Sequence, residues 1–156
     1  MPIRGRWFRG LLALGFLPLL YSGFLADPVH RELPMSPETL PSQEGPSRLA
    51  VLWTSGDREV ALNVAFMYTH NAKARGWFDE VTLIVWGPSS RLLSEDEELQ
   101  EYVVRMEEAG VEVVACRACA DTYGVSEILE GMGIEVKYMG EPLTEMLKGD
   151  WEILTF

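Results

Sequence analysis

VEVVACRACADTYG, residues 111–124, holds the only two cysteines of the 156-residue chain, Cys116 and Cys119. Val111 to Ala115 reads as a short apolar strand, Cys116 to Cys119 as the turn that leaves it, and Val125 to Met132 as the helix that follows. A thiol at the carboxyl end of a buried strand sits where open α/β sheets place their chemistry. The fold and the chemistry are therefore both read outward from this stretch.

Upstream, the same alternation repeats. Leu49 to Trp53 is an apolar run, read as the first strand. Asp57 suits the cap of a helix reaching Arg75, with Val60, Val64, Met67 and Tyr68 at near-helical spacing and Gly76 as its stop. Val81 to Trp86 is the second strand, Gly87-Pro88-Ser89 a turn, and Ser94 or Asp96 the opening of a helix to Ala109. Downstream, Ile134 to Tyr138 reads as a fourth strand, Pro142 starts a helix to Lys148, and Glu152 to Phe156 forms a fifth strand. Such alternation predicts a three-layer α/β/α sandwich around a mostly parallel five-stranded sheet. Its crossovers should be right-handed.

In a parallel sheet the loops after the strands open on one edge. Thr54-Ser55-Gly56-Asp57, Gly87-Pro88-Ser89-Ser90 and Cys116-Arg117-Ala118-Cys119 should therefore meet, forming a shallow pocket with a thiol at its floor. Ser55, Gly56, Gly87 and Ser89 are the candidate backbone and hydroxyl contacts to a ligand. Asp121 and Tyr123 could orient a polar group, or cap and pack the helix. Arg117 beside Cys116, and a helix amino end nearby, would favour a thiolate. Cys119 could close a disulfide or resolve a mixed one. A structural zinc site usually takes four ligands, and only His30 and His70 could join the cysteines, so neither a metal nor a cofactor is expected. No P-loop, no G-x-G-x-x-G after the first strand and no Ser/His/Asp arrangement occurs.

The charge is −11. Residues 1–47 carry Arg4, Arg6, Arg9 and Arg31 against Asp27, Glu32, Glu38 and Glu44, so the excess lies on 48–156. An acidic domain repels phosphate backbones, which argues against nucleic-acid binding. Arg4, Arg6 and Arg9 precede an uncharged apolar stretch, Leu11 to Ala26, the pattern of a signal peptide or signal anchor over 1–26. Pro28, Pro34, Pro37, Pro41 and Pro46 mark 27–47 as an extended linker. The expected protein is exported or membrane-tethered, touching the membrane only through residues 11–26.

ACRACADTYGV after the third strand, WGPSSRLL after the second and IEVKYMGEPLTEMLK before the fifth resemble the DsrE/DsrF-like sulfur-relay family over residues 48–156. The resemblance implies a small α/β domain that assembles as a trimer or hexamer. It also implies a sulfur carrier that exchanges sulfane sulfur with donor and acceptor proteins or small sulfur species. By position, Cys116 matches the family's persulfide-bearing cysteine and Cys119 the second cysteine of one branch. In that reading Arg117 stabilises the anion, and Cys119 releases sulfur or protects the site as a disulfide. The apolar leader departs from the family pattern, whose relay members typically work in the cytoplasm. Two other readings stay open. One is an exported, oligomeric binding module using rim aromatics such as Trp53, Trp86 and Tyr123. The other is a thiol-disulfide oxidoreductase using Cys116 and Cys119.

Overall fold

The computed structural model describes residues 45–156. The apolar segment 11–26 and the proline-rich stretch as far as residue 44 lie outside the described residues, as do the expectations placed on them. Among the described residues no helix is long and apolar enough to cross a membrane.

Five strands form one sheet: β1 (Arg48–Trp53), β2 (Glu80–Val85), β3 (Glu112–Cys116), β4 (Glu135–Lys137) and β5 (Trp151–Thr155). Their order is β4-β3-β2-β1-β5, and every pairing is parallel. The chain steps outward from β1 to β4, then returns to lay β5 on the other side of β1. Alternate residues of each strand therefore serve different layers. Leu49, Val51, Trp53, Leu83, Val85, Val113 and Ala115 face the larger core. Ala50, Ile84, Val114 and Cys116 face a smaller one.

The layers are unequal. The helical segment 58–74 comprises α1 (Arg58–Val60), a π-helical stretch (Ala61–Phe66) and α2 (Met67–Ala74). Together with α3 (Pro88–Glu95), α4 (Glu97–Glu108), α5 (Arg117–Tyr123) and α6 (Ser126–Gly131), it supplies the larger core. The opposite face is covered by α7 (Gly140–Lys148), through Leu143 and Met146, with Met139 just before it.

Local differences from the sequence reading have physical causes. Asp57 does cap the first helix, accepting from the Glu59 and Val60 amides. The π-helical stretch had no signature in the spacing; its wider turn buries Ala61, Ala65 and Phe66 together. Gly87-Pro88-Ser89 is a helix start rather than a free turn, because Gly87 takes φ +72° and Pro88 is preset for the first helical turn. Asp96 then leaves helical geometry and recaps the chain for α4 by accepting from the Leu99 amide. The last helix opens at Gly140 rather than Pro142, and the last strand at Trp151 rather than Glu152.

Ser89 ties the ends of β1 and β2 together. It is fully buried, donates to the Trp53 carbonyl at 2.6 Å and accepts from the Trp86 amide at 2.9 Å. Trp86 N–H also reaches the Trp53 carbonyl at 3.0 Å, so those backbone groups keep a partner without the hydroxyl. Ser89→Ala is therefore expected to remove only about 1 kcal/mol of stability. The check is a lower urea midpoint at unchanged slope; an unchanged midpoint would deny Ser89 this role.

Candidate functional site

The site is built from the carboxyl end of β3. Val114 and Cys116 share the face of the sheet that α7 covers, so Cys116 points into the smaller core beside Ala50, Ile84 and Met139. It is only 3% exposed. Cys116 is also the residue before α5, in extended backbone, and the helix begins at once with Arg117. The expected cysteine loop is thus a strand end joined directly to a helix. Gly124, in left-handed geometry at φ +68°, ends that helix. Cys119, one helical turn beyond Cys116, comes back to the same side and packs on the same small core. It is partly exposed, and both thiols are free.

Burial and two neighbouring groups set the chemistry of Cys119. Burial pushes its thiol above the ordinary range, and the adjoining Cys116 thiol raises it further, as when the Cys119 S–H is shared with the neighbouring sulfur. The Gly87 N–H, directed at the Cys119 sulfur, opposes both. Cys119 is therefore mostly protonated at neutral pH. Its alkylation by iodoacetamide should be slow at pH 7 and keep accelerating at pH values where an ordinary thiol has levelled off. Peptide mass mapping across a pH series checks this; a plateau at or below the ordinary thiol range would contradict it.

The three rim loops do meet. A Cβ on Gly56 would stand 3.2 Å from the Pro88 Cβ, so the loop after β1 lies against the loop after β2. The Gly87 amide in turn reaches Cys119. Gly56, Gly87, Cys116 and Cys119 thus belong to one continuous rim.

Other candidate residues are engaged elsewhere. Ser55 gives its amide to the Phe156 carbonyl at 3.2 Å, and its hydroxyl accepts from the Asp57 amide at 3.1 Å. Ser89 is committed to the β1–β2 tie. Asp121 accepts from the Ser126 hydroxyl at 2.5 Å and lines a separate cavity with Gly124, Glu127 and Ile128. Tyr123 packs on the larger core beneath the Arg91 guanidinium. Arg117 does not face the thiols: its guanidinium binds Glu130 and donates to the Val136 carbonyl at 2.8 Å. Trp53, expected at the rim, is wholly buried, because it ends on the side of β1 that the helices cover.

The residue that neighbours Cys116 on the adjacent strand is one that sequence adjacency could not reveal. Lys137 pairs with Cys116 across the β3–β4 ladder and so shares its face; its ammonium is held by Glu135 at 2.6 Å. Strand register would have found it. Among the described residues no group of three or more His, Cys, Asp or Glu side chains is arranged to hold a metal ion.

The sequence profile of the DsrE/DsrF-like family matches residues 50–156, which takes in the cysteine pair, the Gly87 loop and α7. The chain belongs to the DsrE/DsrF-like family. Among solved structures, this DsrE-like domain is similar to BT1422, a conserved protein of unknown function from Bacteroides thetaiotaomicron. The two are 37% identical with a TM-score of 0.68, covering 70% of this chain and 95% of that one. It is also similar to the ychN protein from E. coli, at 17% identity and a TM-score of 0.57, covering 70% of this chain and 99% of that one; that likeness concerns the fold. No curated protein matches the chain.

Proposed function

We propose that this DsrE-like domain is a sulfur-relay protein that carries sulfane sulfur as a persulfide on Cys116. The observation that carries the reading is the pairing of two free thiols on one small core at the carboxyl rim of a parallel sheet. Membership of the DsrE/DsrF-like family supports it. A thiolate at Cys116 attacks the outer sulfur of a donor, forming the Cys116 persulfide and releasing the donor's thiolate. Arg117, bound to Glu130, steadies the junction of α5, α6 and β4. Cys116 at 3% exposure suits a small sulfur species better than a docked protein thiol. Donor and acceptor partners, assembly as a trimer or hexamer, and placement outside the cytoplasm belong to the same proposal.

Incubation with polysulfide followed by peptide mass mapping tests it. In Cys119→Ser, where no neighbouring thiol can displace it, the expected product has one added sulfur on the peptide containing Cys116. Added sulfur confined to another position of that variant, or none at all, would sink the reading.

One observation favours a second reading, an oligomeric binding module. On the α7 side of the sheet Leu52, Trp86, Trp151 and Ile153 are only partly buried, and Leu147 on α7 is 63% exposed. If Cys116→Ala leaves self-association and partner capture intact while sulfur uptake is nil in the wild type, this second reading stands in place of the first.

A further inference from the structure

We infer that a persulfide formed on Cys116 is discharged inside the same chain by Cys119, yielding sulfide and a Cys116–Cys119 disulfide. The inference rests on the persulfide reading and adds the fate of the sulfur.

The geometry leaves Cys119 as the nucleophile at hand. Cys116 is almost closed to solvent, whereas Cys119 lies against it, one helical turn away on the same small core. An external acceptor would have to enter that core; the Cys119 sulfur is already there. Cys119 is also the partly exposed member of the pair, so its proton has a path to water.

The step balances without a further reagent. The Cys119 thiolate attacks the Cys116 Sγ, and an Sγ–Sγ bond forms. The bond from Cys116 Sγ to the sulfane sulfur breaks, and HS⁻ leaves with its electron pair. Two cysteines are oxidised to a disulfide while one sulfane sulfur is reduced to sulfide. The proton lost from Cys119 goes to water or to the departing sulfide. A second turnover requires an external dithiol that reduces the disulfide, so the protein sits between a supplier of sulfane sulfur and a dithiol reductant.

The test uses the full chain, reduced and freed of reductant under anaerobic conditions, mixed with one equivalent of glutathione persulfide. Wild type is expected to release close to one sulfide per chain above the protein-free blank, and to end as the Cys116–Cys119 disulfide by intact mass and peptide mapping. Cys119→Ser, and Cys119→Ala as a second variant against misfolding, should release none above the blank and retain one added sulfur on Cys116. If the variants take up sulfur and wild type also keeps it without forming a disulfide, the discharge is overturned and the carrier reading survives. If neither wild type nor the variants acquire sulfur, the carrier reading falls and the discharge falls with it.

Discussion

Cys116→Ser should accept no sulfane sulfur above the protein-free background, while Cys119→Ser should still accept one atom. A hydroxyl is not ionised at neutral pH and forms no persulfide, so the substitution removes the chemistry rather than weakening it. Its structural effect should be small. Cys116 is a small apolar filler among Ala50, Ile84, Val114 and Met139, and serine is nearly its size. The penalty is a buried hydroxyl, about 1–3 kcal/mol if it finds no partner. A thermal melt separates the two effects: a folded Cys116→Ser that takes up no sulfur supports the site. A folded Cys116→Ser loading as well as Cys119→Ser would move the chemistry to Cys119.

Trp53→Ala should be the most damaging core substitution, costing about 3–5 kcal/mol. Trp53 is wholly buried at the end of β1, and its ring meets Phe66 edge-on at 4.7 Å between centroids. That contact ties β1 to the π-helical stretch of the segment 58–74. Against a total stability of roughly 5–15 kcal/mol, the loss would leave a large share of the protein unfolded on mild heating. Trp53→Phe is expected to be much milder, below about 1.5 kcal/mol. The Trp53 Nε1 is buried without a partner, so phenylalanine keeps a ring against Phe66 and removes an unsatisfied donor. Urea denaturation of both variants decides the matter; equal losses would mean that the ring contact is not what holds β1 to the helix.

The architecture was legible because β1, β2 and β3 are short apolar runs and glycines, prolines or polar residues separate most strands from the helices. Repeated strand–helix alternation leaves few topologies besides a parallel sheet. What spacing could not supply was the allocation of residues to faces. Trp53 and Trp86 look alike as strand-end aromatics, yet Trp53 lies under the helical layer while Trp86 lies on the α7 side. Register decides that, and register is a tertiary property. The same holds for charge. Arg117 is next to Cys116 in sequence but binds Glu130, whereas Lys137 is far along the chain and adjacent across the ladder.

The cysteine motif was visible, and so was the gathering of the Gly56, Gly87 and cysteine segments at one edge. The depth of Cys116 was not. It follows from α7 crossing the face toward which the end of β3 points, a consequence of β5 returning to the far side of β1. Gly-Pro misled for a related reason. The φ +72° that makes Gly87 a turn residue also lets Pro88 start a helix, and only packing of α3 distinguishes the two.

A crystal structure of Cys119→Ser after treatment with glutathione persulfide tests the site most directly. One additional sulfur bonded to the Cys116 Sγ, within the small core beneath α7, is the result expected. An unmodified Cys116 in a protein that has taken up sulfur at another position would contradict the account.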